Sequence, residues 1–275
     1  MSERLPEERH LLRQTFDDGS AEYDRARSVA PDHVFDDLVP LAELGAGARL
    51  LEIGCGTGQN TTPLAERGFE IVAVELGESM AELARRNLAA YPDVTVVTSS
   101  FEEWDPGDER FDAVVSFNAF HWIDPEVAHT KSAAVLRDGG ALGVYGNRFA
   151  THDDADPVWL ATREDHLAAA GEQDERMFLP IDHVRDRSDE FTAGGFATVT
   201  VRRYRWGESF DADGYVALLG TVSTYGALAD DVRSDLFERI HRRISAAGRP
   251  ISLTVTAVLY VARRSSTLAV DERPA

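Results

Sequence analysis

The chain has 275 residues, 43% of them hydrophobic, enough for one α/β domain with an elaboration or at most two small domains. Its formal net charge of −20 argues against a polyanionic partner, and its arginines form no basic cluster of the kind nucleic acid binding needs. The first 30 residues lack the apolar core of a signal peptide, and no run approaches the ~20 apolar residues of a membrane span. A soluble, cytoplasmic protein is expected, monomeric or homodimeric, with no nucleic acid or membrane partner. Lys131 is the single lysine and Cys55 the single cysteine, so no intrachain disulfide forms.

Residues 2–15 are charged and read as a tail. Tyr23, Arg25 and Arg27 follow Phe16 and precede Pro31, which opens a helix carrying Val34, Phe35, Leu38 and Leu41. The run Leu50-Leu51-Glu52-Ile53-Gly54-Cys55-Gly56-Thr57-Gly58-Gln59-Asn60 is the most informative in the chain. A strand over Arg49–Gly54 leads into three glycines at alternate positions, then a helix over Thr57–Arg67 stopped by Gly68. Glycine is needed where the backbone takes positive φ or lets a ligand touch the main chain. A strand, glycine turn and helix in that order present backbone N–H groups and a helix N-terminus to an anionic group. Cys55 sits where it could be taken for a nucleophile, but it reads better as a small residue whose backbone matters.

The next strand, Ile71–Glu75, ends in a carboxylate 21 residues after Gly54 (75 − 54). An acid there is placed to accept both hydroxyls of a ribose; the alternative is a solvated strand end. A helix over Glu78–Ala90 carries Ser79 and Glu82 at capping-box spacing. Strands follow at Val94–Ser99 and Phe111–Phe117. Asp124-Pro125 starts a helix that stops at Gly139-Gly140, and Ala141–Asn147 is a fifth strand. Five β units separated by helices imply a parallel, doubly wound sheet with its ligand outside the carboxyl ends of the strands.

Beyond Thr151 the chain departs from a minimal fold. A helix over Pro157–Ala170, closed by Gly171, lies in a segment too long for a simple connection. Phe196–Phe210 and Ile251–Arg263 read as strands. Between them Tyr215–Leu228 is a helical candidate, and Val232, Leu236, Ile240 and Ile244 form a helix seam ended by Gly248 and Pro250. The expected division is a helical arm (1–45), an α/β core (46–150), an insert or lid (151–195), closing strands and helices of the same domain (196–265) and a loose tail (266–275).

The spacing Gly-x-Gly-x-Gly differs from the Gly-x-Gly-x-x-Gly of dinucleotide sites. The run LEIGCGTG resembles the first motif of class I S-adenosylmethionine (SAM) methyltransferases, and Ala-Phe-His-Trp at 119–122 resembles small-molecule members acting on aconitate and quinone precursors. The resemblance implies a Rossmann-like, mostly parallel seven-stranded sheet whose last strand is antiparallel. It implies SAM as cofactor, S-adenosylhomocysteine (SAH) as product and a small-molecule acceptor.

By the same resemblance Gly54, Cys55 and Gly56 wrap the methionyl part, Glu52 answers its amino group, and Glu75 takes the ribose. Leu76 and Met80 suit the adenine slot. Ser100 and Phe101 follow strand three, where relatives read the adenine amino group; the usual aspartate is absent there, and Ser100 or Glu102 replaces it. Tyr23 and Arg27 resemble an arm that folds over the cofactor. Asn118 opens the turn facing the methyl, and His121 within it is a candidate general base or an orienting group. Trp122 either packs under the turn or walls the pocket. No metal-binding spacing appears. Two other readings stay open: a SAM-binding protein that transfers nothing, and a nicotinamide-dependent oxidoreductase.

Overall fold

Strands β1 (Arg49–Ile53), β2 (Glu70–Glu75) and β4 (Phe111–Phe117) are buried along most of their length because helices cover both faces of their sheet. The computed structural model describes residues 19–151, 155–171, 180 and 185–264. The expected tails at 2–15 and 266–275, Phe16 and the middle of the 151–195 segment lie wholly or mostly outside these residues.

With β3 (Val94–Thr98), β5 (Leu136–Ala150), β6 (Phe196–Phe210) and β7 (Ile251–Arg264), the strands form one seven-stranded sheet in the order β3-β2-β1-β4-β5-β7-β6. Strands β1 to β5 run parallel; β7 is antiparallel to both β5 and β6, so the last strand is the reversed one, as expected. The order reverses between β1 and β4, which opens a crevice at their carboxyl ends.

Helix α1 (Ser20–Ala26) precedes α2 (Asp32–Leu41), whose Val34, Phe35 and Leu38 pack on one sheet face with Leu64 of α3 (Thr61–Glu66) and Ala84 of α4 (Glu78–Asn87). On the other face Ala128 and Val135 of α5 (Pro125–Val135) and Phe191 of α8 (Ser188–Ala193) cover Leu51, Val114 and Leu142. A third cluster gathers Trp159 of α6 (Pro157–Ala161), Tyr215 of α9 (Ala212–Gly220), Tyr225 of α10 (Ser223–Gly226) and Leu236, Ile240 and Ile244 of α11 (Asp230–Ala247). It includes Ile251 and Leu253, at the end of β7 that pairs with the carboxyl end of β6.

Several boundaries differ from expectation for local reasons. The helix after the glycine turn starts at Thr61, because positive φ at Gly54, Gly56 and Gly58 holds the preceding residues out of helix. The capping box does not form: Gly77 is the N-cap of α4, and Ser79 lies inside the helix. Helix α5 ends at Val135, and β5 begins at Leu136 rather than Ala141; the glycines Gly139 (φ 70°) and Gly140 form a bulge, since Leu136 pairs with Phe111 and Ala141 with Ala113. The helix expected over Pro157–Ala170 breaks at Thr162 before α7 (Arg163–Ala170), because the Thr162 hydroxyl and N–H both bond the Trp159 carbonyl. Val232 is 38% exposed and falls outside the buried α11 seam. The 151–195 segment divides: α6 joins the third cluster, whereas Phe191 of α8 stacks on Tyr260 and Phe120 at the sheet face.

Asp156 anchors that third cluster. Its carboxylate caps α6 through the Val158 N–H (2.8 Å), accepts the Ser252 N–H (3.1 Å) and receives both terminal nitrogens of Arg249 (2.6 and 3.1 Å). The Arg249 hydrogen bonds, helped by the two backbone donors, pull its pKa from 3.8 to about 2. A depressed folded pKa stabilises above the unfolded value, and the contribution fades as pH falls toward 2. Asp156→Ala should therefore cost about 2 kcal/mol at pH 7. Urea unfolding of both proteins at pH 7 and pH 3 should show the difference shrinking on acidification.

Candidate functional site

The carboxyl ends of β1, β2 and β4 carry the turns expected to bind the cofactor. Gly54 (φ 69°) donates its N–H to the Val74 carbonyl (2.8 Å), and a Cβ there would lie 2.4 Å from Ala119 Cβ. Only glycine lets the turn after β1 touch the turn after β4. Gly56 (φ 58°) is different, since a Cβ there would meet only the Tyr23 ring, at 3.7 Å. Its requirement is conformational.

Glu75 holds this turn. Its Oε2 accepts the Gly56 N–H (2.8 Å) and its Oε1 accepts the Gly77 N–H (2.9 Å), so one carboxylate bridges the turns after β1 and β2. It is not a solvated strand end. Glu52, on β1, is 1% exposed. Among the described residues its Oε2 and the buried hydroxyls of Thr57 and Thr61 have no hydrogen-bond partner. Burial raises the Glu52 carboxyl to about pKa 7, and the Glu75 charge adds to the rise; the Thr61 hydroxyl opposes it from outside hydrogen-bonding geometry. Three buried polar atoms without partners around one turn are costly, and their arrangement suits a polar, cationic group. The Cys55 side chain is buried in the core beneath α2, and burial pushes its thiol well above the ordinary value. Its position contributes backbone, not a nucleophile.

Helix α1 lies over the turn. The Arg27 guanidinium sits 5.5 Å from the centre of the Tyr23 ring and bonds both the hydroxyl (2.8 Å) and the carbonyl (3.2 Å) of Thr221, the C-cap of α9. Burial raises the Tyr23 hydroxyl pKa, opposed by Arg27 and reinforced by Glu75. Two residues absent from the sequence-derived set complete the junction. Gln59 donates to the Asp24 and Arg27 carbonyls (2.6 and 3.1 Å), and Asn87 donates to the Thr57 carbonyl (2.9 Å) and the Asp24 carboxylate (3.2 Å). Gln59 lies within the glycine-rich run and was findable; Asn87, on an exposed helix face, carried no signal.

Leu76 is half-buried after Glu75, and Met80 is buried on α4. The Ser100 hydroxyl accepts the Glu103 N–H (3.1 Å), and Phe101 is buried in the sheet-face core with the Lys131 ammonium 5.2 Å from its ring centre. The Glu102 carboxylate accepts the Asp124 N–H (3.1 Å) at the start of α5, which engages one of the two candidates for the missing aspartate. Asn118 has φ 58°, unusual for a residue with a side chain. Its Oδ1 accepts the Asn147 N–H (2.8 Å) and its own N–H bonds the Tyr145 carbonyl (2.9 Å), which ties the turn after β4 to β5. His121 is exposed at the rim in a single 3-10 turn, Phe120–Trp122, its ring 4.9 Å from that of Trp122. Among the described residues no group of three His, Cys, Asp or Glu side chains could hold a metal ion, and no helix is long and apolar enough to cross a membrane.

A family profile described as a methyltransferase domain matches residues 50–140, from β1 to the bulge in β5. An uncharacterized methyltransferase of Mycobacterium tuberculosis (strain ATCC 25618 / H37Rv) is 31% identical over 223 residues, covering 81% of this chain and 82% of the relative. The chain belongs to the methyltransferase family. A demethylmenaquinone methyltransferase of Clavibacter sepedonicus is 33% identical over 132 residues, 46% of this chain and 54% of that one. The fold also matches phosphoethanolamine N-methyltransferase 2 of Haemonchus contortus in complex with S-adenosyl-L-methionine, with TM-score 0.52, 14% identity, and coverage of 90% of this chain and 57% of that one. Family membership sets aside the nicotinamide reading.

The raised Glu52 pKa has a direct consequence for stability. Below about pH 4.5 the carboxyl is protonated in both folded and unfolded chains; above that it ionises first in the unfolded chain, so stability falls as pH rises through about 7. The loss is on the order of 3 kcal/mol. Glu52→Gln should be more stable than wild type at pH 8 and nearly equal to it at pH 4.5. Denaturant unfolding at the two pH values checks the sign.

Proposed function

We propose that this methyltransferase transfers a methyl group from SAM to a small-molecule acceptor at the crevice between the β1, β2 and β4 turns. One observation carries the proposal: Glu52 Oε2, Thr57 Oγ1 and Thr61 Oγ1 are buried beside the glycine turn with no partner among the described residues. They fit a ligand that brings an ammonium group. The SAM complex of the Haemonchus enzyme and the quinone-precursor chemistry named for the Clavibacter relative support this choice of cofactor and acceptor class.

In this reading Glu52 receives the cofactor's amino group, the turn at Gly54, Cys55 and Gly56 follows its methionyl chain, and Glu75 orients the ribose hydroxyls. Leu76 and Met80 wall the adenine, with Ser100 and Phe101 at its far edge. Tyr23 and Arg27 close over the turn, and Asn118 holds the wall beside the acceptor. When bound, SAM supplies a methyl group made electrophilic by its sulfonium. The protein's share is alignment and exclusion of water, and near-attack geometry is worth about 7–11 kcal/mol in such displacements. His121, at the rim of the β4 turn, accepts the acceptor's proton.

SAH should bind wild type in a calorimeter, and Glu75→Ala should lose about 2–4 kcal/mol of that affinity, since two charge-assisted bonds disappear. Unchanged affinity removes Glu75 from the site. His121→Ala should lower turnover by roughly 10²–10⁴ with SAH affinity intact and abolish the low-pH limb of the rate profile. Turnover within a few fold of wild type ends its role as base.

A further inference from the structure

A second unbalanced group stands beyond the carboxyl end of β4, on strands that the proposed cofactor site does not use. Arg148 follows Asn147 on β5, and its Nε and Nη2 are buried with no hydrogen-bond partner among the described residues. Burial pulls its pKa down, with no carboxylate acting in the other direction. Arg148 as a whole is half-buried, and two guanidinium nitrogens held from water without a compensating anion are a costly arrangement that a bound anion would relieve.

The neighbouring strands define what the ligand would meet. Arg148 lies opposite Thr256 on β7, and directly opposed residues of an antiparallel pair project from the same sheet face. Thr256 is 5% exposed, and its Oγ1 is also without a hydrogen-bond partner among the described residues. On its other side Thr256 pairs with Arg205 of β6, an exposed residue that brings a second guanidinium to the row. The row begins one residue past Asn147, whose N–H bonds Asn118 in the β4 turn that carries His121. Charge makes the row distinctive. In a chain of net charge −20 an anion is repelled by most of the surface, whereas no carboxylate acts on the Arg148 guanidinium.

We propose that Arg148, with Thr256 as a second donor, binds a carboxylate or phosphate group of the methyl acceptor. The proposal rests on the methyltransferase reading above and narrows it, making the acceptor an anionic small molecule. The planar guanidinium fork matches either oxyanion in a bidentate pair, and the threonine hydroxyl adds a third bond.

The test is thermal unfolding of the SAH-loaded protein with malonate or inorganic phosphate added at constant ionic strength. Wild type should gain several degrees, roughly 3 °C or more, at anion concentrations well above Kd. Arg148→Met should not respond, and Arg148→Lys, which keeps the charge without the fork, should respond at least threefold more weakly. A response to malonate alone assigns a carboxylate acceptor, and one to phosphate alone a phosphorylated one; either supports the site. No response in wild type, or equal responses in wild type and both variants, overturns it. A tenfold loss of SAH affinity in Arg148→Lys also overturns it, because Arg148 would then belong to the cofactor site. If wild type does not bind SAH at all, the cofactor reading fails instead, and the same titrations on the unliganded protein still decide the anion site.

Discussion

The Glu75 carboxylate accepts the Gly56 and Gly77 N–H groups together, and that bridge fixes the geometry on which the site depends. It locks the left-handed backbone at Gly56 and ties the β1 turn to the β2 turn. The close approach of Gly54 to Ala119 then ties the β1 turn to the β4 turn. Three strand ends are held in register by one carboxylate and one missing side chain. Within that frame Glu52, Thr57 and Thr61 keep buried polar atoms without protein partners, an arrangement stable only because the rest of the sheet over-determines it. The bridging carboxylate is pre-oriented, and a ribose would find its acceptor already aimed.

A second set of bonds joins this frame to the rest of the molecule. Arg27 reaches Thr221 at the end of α9 while its carbonyl accepts from Gln59 in the glycine-rich run. The two Arg27 guanidinium bonds are charge-assisted and worth roughly 1.5–3 kcal/mol each. Helix α1, the glycine turn and the α9–α10 junction are therefore tied together. The third cluster is itself tied to the start of β7 by Asp156, which accepts the Ser252 N–H and two bonds from Arg249.

The sheet was legible because its signals are local. Glu52 through Gly58 and the carboxylate at Glu75 lie in a strand–turn–helix–strand order that one sheet topology satisfies, and the antiparallel β7 followed from the resemblance. Helix boundaries were less legible where tertiary contacts decide them. Nothing in Ser79 or Glu82 shows that Glu75 already engages the Gly77 N–H, and nothing in Gly139-Gly140 distinguishes a helix stop from a strand bulge. The 151–195 segment read as one insert because spacing does not show that Phe191 packs on Tyr260 while Trp159 packs on α9 and α11. Arg148 and Thr256 were invisible for a different reason: only cross-strand register brings residues 108 positions apart (256 − 148) to one row.

If Glu52 receives the cofactor's amino group as proposed, its raised carboxyl should give up a proton when that ammonium arrives. Calorimetric titration of SAH at pH 6.5, in buffers of differing ionisation enthalpy, measures the protons exchanged on binding. With the carboxyl at about pKa 7 before binding and held ionised after it, a substantial fraction of one proton should be released, and Glu52→Gln should release none. Tight SAH binding to wild type with no proton release, or with the same release in the variant, would contradict the assignment of Glu52 to the cofactor's amino group.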